Sequence, residues 1–256
     1  MFGAIVGDIA GSTYERCNLK SELCPIFAYG SQFTDDTVLT IATADHFVSG
    51  DSYAETYRRY GRKYPHAGYG AGFRKWMNSD DCEPYGSFGN GSAMRVSPIA
   101  WVATDLNWAI DEAKLSAEVT HNHPNGIKGA QAVASAIFMA RKGEPKPVIR
   151  KFITERFSYD LSRTVEQVRP GYFFEVNCEW SVPEAIIAFL DSDCFESAIR
   201  KAISLGGDSD TIASIAGAIA HAFYGEIPDR MTDYCMGKMD SEQKSVISDF
   251  WKLFPQ

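Results

Sequence analysis

Carboxylates crowd two short stretches of this 256-residue chain, Thr34-Asp35-Asp36-Thr37 and Gly207-Asp208-Ser209-Asp210-Thr211. Each packs two aspartates and neighbouring hydroxyls into four or five residues, where like charges repel unless a cation lies among them. Aspartate and threonine are hard oxygen donors, the ligands that Mg²⁺ or Mn²⁺ takes and a soft metal does not. Four aspartates with two threonines suffice for two ions, which in hydrolases sit about 3.5–4 Å apart and share bridging carboxylates. The plain alternative is that each run caps a helix, since Asp, Ser and Thr favour N-termini and anions suit that end of the dipole.

The elements around these runs read as helical. Thr211-Ile212-Ala213-Ser214-Ile215-Ala216-Gly217-Ala218-Ile219-Ala220 has no polar face, so it is expected at the centre of the molecule, aiming Asp208 and Asp210 inward. The segment from Thr37 to Ala44 is similarly apolar and short-chained and would do the same for Asp35 and Asp36. Further on, Phe195, Ile199, Ala202 and Ile203 recur with helical period. Ser52 with Glu55, and Ser181 with Glu184 and Pro183, have the spacing of capping boxes that open helices. The expectation is an all-α fold with helices over 36–49, 52–64, 107–119, 126–142, 145–157, 182–191, 194–205, 211–224 and 241–253, forming one domain over 1–256. Trp101, Phe138, Met139 and Phe189 are expected in its core. The Gly/Pro/Asp-rich span from Asn78 to Gly91 reads as a long loop and the best candidate for a pocket rim or lid.

Composition narrows the partners. The net charge is −8 with no basic cluster, which argues against nucleic acid as a ligand. A small anion can still bind where backbone N–H groups, helix N-termini or cations supply positive potential. Six cysteines (17, 24, 82, 178, 194 and 235) contain no C-x-x-C pair, so a structural zinc site is not expected and the thiols are read as reduced. With no apolar run of about 18 residues and an N-terminus too short for a signal peptide, the protein is expected to be cytoplasmic, with no membrane partner.

Four further segments are rich in glycine or histidine: Gly7-Asp8-Ile9-Ala10-Gly11-Ser12, followed by Tyr14-Glu15; Gly68-Tyr69-Gly70-Ala71-Gly72-Phe73; Ser87-Phe88-Gly89-Asn90-Gly91-Ser92-Ala93-Met94-Arg95; and Thr120-His121-Asn122-His123-Pro124. Glycine lets backbone approach a ligand closely, and successive N–H groups form anion-binding concavities. Taken in order with the two acidic runs, these motifs resemble the ADP-ribosylglycohydrolase family from about Gly3 to Gly225.

That resemblance implies an all-helical domain with two Mg²⁺ or Mn²⁺ ions in a cleft, removing ADP-ribose from proteins or small acceptors. By position, it implies Thr34, Asp35, Asp36, Asp208, Asp210 and Thr211 as metal ligands, and Glu15 beside the metals as ligand or catalytic carboxylate. Gly70, Gly72, Ser87, Gly89, Asn90, Gly91 and His121 would line the diphosphate and riboses. Phe88 and Tyr69 are the aromatic residues placed to stack on a base or wall a ribose. Asp8 is read as structural or as orienting a ligand, and Arg95 is left outside the site.

Cleavage at the anomeric carbon builds positive charge on the sugar and negative charge on the leaving group, so a proton donor or acceptor is needed. Glu15 is favoured for it, with Asp35 and Asp210 as the other catalytic candidates. Two competing functions are a silent ADP-ribose binder and a different two-metal hydrolase such as a phosphatase. The acceptor and the oligomeric state are left open.

Overall fold

The computed structural model describes residues 1–81 and 83–255; Cys82 and the end of the chain lie outside the described residues. Fourteen α-helices and one 3-10 turn carry it: α1 Phe2–Gly11, α2 Asp35–Ser49, α3 Tyr53–Lys63, α4 Ala71–Asn78, the turn Asn90–Ser92, α5 Ser97–Val102, α6 Leu106–Glu118, α7 Pro124–Arg141, α8 Lys146–Phe157, α9 Val165–Val168, α10 Cys178–Leu190, α11 Phe195–Ser204, α12 Ser209–Tyr224, α13 Asp229–Lys238 and α14 Ser241–Leu253. Among the described residues there is no strand, only an isolated bridge between Gly89 and Asn177. The fold is all-α, and its buried apolar side chains form one continuous core from Met1 to Phe250 that includes Trp101, Phe138, Met139 and Phe189.

At the centre, α12 is buried on every side from Ser209 to His221. Its main partner is α1, a helix the apolar periodicity does not reveal because every one of its residues is buried and none marks a solvent face. Gly3, Gly7 and Gly11 recur every fourth residue and bring the two backbones into contact. A Cβ on Gly7 would fall 2.0 Å from the Ala213 carbonyl oxygen, and one on Gly3 would fall 2.2 Å from that of Gly217. Only glycine fits such an approach. It sets Asp8, in the second half of α1, beside the start of α12.

Caps explain where several helices begin. Thr34 caps α2, its hydroxyl accepting from the Asp36 N–H at 3.3 Å. Ser52 and Glu55 form the expected capping box on α3. The second box is not formed: α10 starts earlier, at Cys178, capped by Asn177, whose side chain accepts from the Glu179 N–H at 2.9 Å. Ser181 and Pro183 therefore lie inside that helix. Glu184 faces Arg163 at 3.0 Å instead of reaching back to a cap. Besides α1, the short helices α4, α5, α9 and α13 also escape the periodicity, because few residues per face remain to show a pattern.

Candidate active site

Both acidic runs open helices, Thr34 capping α2 and Asp208 preceding α12 without a side-chain cap bond, and they also meet each other. Asp35 and Asp36 occupy the first turn of α2, and Asp208 and Asp210 the start of α12, so four carboxylates stand at the positive ends of two helices. Carboxylate oxygens of Asp8, Asp36 and Asp210 all lie within 4.8 Å of one another, and all three side chains are buried. Thr211 Oγ1 donates to Asp36 Oδ2 at 3.1 Å, joining the runs directly.

Asp8 holds the first run in place. Its Oδ2 accepts from the Thr34 and Thr37 N–H groups at 2.9 and 3.0 Å, and its Oδ1 accepts from Thr34 Oγ1 at 2.7 Å. Asn90 holds the second run, its side-chain amide donating to Asp208 Oδ2 at 2.6 Å. Behind Asp208 the chain turns through two glycines, Gly206 (φ +72°) and Gly207 (φ +70°), in the left-handed region that disfavours other residues. Asn18 Oδ1 accepts from the Gly207 N–H at 3.3 Å, and Lys20 Nζ donates to the carbonyls of Leu205 and Tyr172. The loop after α1 that carries Glu15 is thus fastened to the loop that carries Asp208.

The acids form the floor of a cleft of about 330 Å³. Glu15, Thr34, Asp35, Asp36, Gly70, Gly72, Ser87, Gly89, Asn90, Gly91, His121, Asp208, Asp210 and Thr211 all line it. Phe88 does not: its ring is half exposed and meets His123 edge to face at 5.7 Å. Tyr69 is buried against Phe73, with ring centroids 5.0 Å apart, and does not face the cleft. The Asn78–Gly91 loop does supply part of the rim, through Tyr85, Ser87 and Gly89. Leu39, Gly68, Phe73, Tyr85, Met94, Phe174 and Val176 complete the lining without having been singled out in the sequence. Gly68, in the expected Gly-rich segment, carried a signal; Phe174 and Val176 sit in no motif.

Burial raises the proton affinity of Asp8 and of the four aspartates of the two runs. Asp8 is pushed up to about 6, and Asp35 to about 8 by burial and by the charges of Asp8 and Asp208. Asp36 and Asp210 are driven well above the usual carboxylate range, by burial first and then by their neighbours. Asp208 rises too, although the amide of Asn90 holds it back. Such a cluster is stable as carboxylates only beside positive charge. One buried oxygen, Asp36 Oδ1, has no hydrogen-bond partner, and a lone pair left unmatched in a hard-oxygen cluster is what a divalent cation would fill. The residues fit a metal site.

The family model described as ADP-ribosylglycohydrolase matches residues 1–256. The chain belongs to the ADP-ribosylglycohydrolase family. It is 30% identical over 322 residues to ADP-ribosylhydrolase ARH3 of Homo sapiens, covering 94% of this chain and 89% of that protein. It is 25% identical over 263 residues to ADP-ribosylarginine hydrolase Tri1 of Pseudomonas putida (strain GB-1), covering 88% and 69%. A solved structure described as an ADP-ribosylglycohydrolase-related protein complex shares its fold, with a TM-score of 0.69 at 22% identity, 98% of this chain and 96% of the other being covered. As an ADP-ribosylglycohydrolase, the protein hydrolyses glycosidic bonds to ADP-ribose, in a family whose members depend on metal. The buried aspartate cluster of this ADP-ribosylglycohydrolase could hold such a metal. Among the described residues no helix is long and apolar enough to cross a membrane.

Proposed function

We propose that the cleft removes ADP-ribose from a modified protein side chain or a small-molecule acceptor, using two divalent cations, Mg²⁺ or Mn²⁺, held by Thr34, Asp35, Asp36, Asp208, Asp210 and Thr211. The observation that carries this reading is the convergence of Asp36 and Asp210, with Asp8 behind them, within 4.8 Å of one another beside a cleft also lined by Glu15 and His121. When bound, the cations supply Lewis acidity and a template for the sugar hydroxyls. Asp8 acts behind the ligands, keeping the first turn of α2 in register through its three accepted hydrogen bonds.

The chain's own residues do the rest. Glu15 stands on the cleft wall outside both acidic runs, so it is free to hold or release a proton while the aspartates stay committed. Asp35 and Asp210, two of the four aspartates in the lining, are the alternative candidates for this role. Gly70, Gly72, Ser87, Gly89, Asn90, Gly91 and His121 line the remaining wall and would seat the diphosphate and riboses. Apolar residues such as Phe174 and Val176 line another part of the cleft, which must still admit the water that attacks the anomeric carbon.

Arginine is the linkage named for the relative Tri1, and serine, nucleobase and O-acetyl linkages are alternatives within the same chemistry. The test is a panel of defined ADP-ribosylated substrates with Mg²⁺ or Mn²⁺, scored for intact ADP-ribose. Release of ADP-ribose supports the reading, AMP as product would mean phosphoryl chemistry, and ADP-ribose affinity without turnover would leave a binder.

A further inference from the structure

Arg95 is fully buried. Its guanidinium lies 4.2 Å from the centroid of the Tyr57 ring, and Nε and Nη1 have no hydrogen-bond partner. Among the described residues no carboxylate pairs with it. Nη2 donates to the Ser116 carbonyl at 2.7 Å and to Thr120 Oγ1 at 2.9 Å. Thr120 Oγ1 in turn lies 2.8 Å from His121 Nδ1.

This chain has a direction. A guanidinium can only donate, so it occupies a lone pair of the Thr120 oxygen. The hydroxyl has one hydrogen, and among the described residues the only acceptor in its reach is His121 Nδ1. A neutral imidazole that accepts at Nδ1 carries its proton on Nε2. Nε2 faces the cleft: a Cβ on Gly91 would come within 3.2 Å of it, and one on Gly89 within 3.8 Å. Burial and the nearby Arg95 charge hold the imidazole well below its usual pKa, so it does not become a cation that would pair with the cleft carboxylates.

We propose that Arg95 is a positioning residue that acts through Thr120 to lock His121 as the Nε2–H tautomer, making that N–H a donor to an oxygen of the ADP-ribosyl group. The identity of the ligand rests on the function proposed above; the tautomer does not.

The experiment is ¹⁵N NMR of histidine-labelled full-length protein, with His121 identified by the signal missing from His121→Gln, alongside calorimetry of ADP-ribose binding in Mg²⁺. The expected result is a proton on Nε2 of His121 between pH 6 and 8. Thr120→Val, which keeps shape and removes the hydroxyl, is expected to release the tautomer and weaken ADP-ribose about tenfold. Thr120→Ser is expected to restore both. A proton on Nδ1 in the wild type, or a Thr120→Val protein with unchanged tautomer and affinity, overturns the proposal. A wild type with the Nε2 proton but no affinity for ADP-ribose overturns the ligand reading and leaves the relay standing.

Discussion

Thr211 donates its hydroxyl to the carboxylate of Asp36 at 3.1 Å, across 175 residues of sequence. This contact places the starts of α2 and α12 against each other and makes one acidic floor out of two helix N-termini. The two runs that open these helices are therefore the runs that converge, through Asp36, Asp210 and Thr211.

Removing one of the converging carboxylates removes an oxygen donor and little packing. Asp36→Asn and Asp210→Asn are expected to fold and to lose about 10²-fold or more in ADP-ribose release, and EDTA is expected to do the same to the wild type. Full turnover in excess chelator would rule out a metal-dependent reaction.

Asp8→Asn tests the support behind the floor. An amide can keep its one oxygen for the Thr34 and Thr37 N–H groups, which share Oδ2, but then turns an NH2 towards Thr34 Oγ1, so the hydroxyl loses its acceptor and the first turn of α2 is held less firmly. Cation affinity, followed by titration calorimetry, should fall about 10–100-fold. Wild-type affinity would mean that the bond from Thr34 Oγ1 to Asp8 does not orient the site.

Acidity should stabilise the chelator-treated protein. The Asp35 carboxyl is held at about 8 in the folded chain, against ~3.9 for an unperturbed Asp. Between these values the folded state binds the extra proton, so stability is fully present below the unfolded pKa and declines as pH rises towards 8. In EDTA the Tm is expected to drop by about 3 °C per pH unit for each proton involved. Excess Mg²⁺ should flatten or reverse the slope, and a Tm that climbs from pH 5 to 8 in EDTA would contradict the burial of these acids.

Helix contact and site are linked through Gly7. Its Cβ in Gly7→Ala would overlap the Ala213 carbonyl, which must shift, at a cost of about 1–3 kcal/mol in chemical denaturation. Because Asp8 is the next residue, cation affinity should fall as well. An alanine variant as stable as the wild type would show that the α1–α12 contact is looser than described.

Lys20 ties the Glu15 loop to the Leu205 and Tyr172 carbonyls. Lys20→Met keeps the stem and removes the donor. Its kcat is expected to fall about tenfold with KM changed less, since Glu15 loses its position relative to Asp208 while the glycine-lined wall is untouched. An effect on KM alone would place Lys20 in substrate affinity instead.

The acidic runs were legible because charge repulsion makes closely spaced aspartates conspicuous, and the helix after Asp210 because its lack of a polar face demands burial. The Ser181–Glu184 box misled because the same spacing occurs inside a helix, where Ser181 Oγ bonds back to the Asn177 carbonyl at 2.9 Å. Phe174 and Val176 were invisible, since an apolar residue in an irregular segment carries no sign of the cavity it faces.

Local chemistry along the chain determined which groups were available: paired carboxylates, hydroxyl caps and glycine turns, together with the helical periods that bury α11 and α12. Which of them meet was decided only by tertiary packing. Asp8 joins Asp36 and Asp210 because glycines on α1 let two backbones touch, and His121 turns Nε2 to the cleft because Arg95 and Thr120 stand behind it. Distances between residues far apart in sequence depend on how helices seat against one another, and no short-range pattern encodes that geometry.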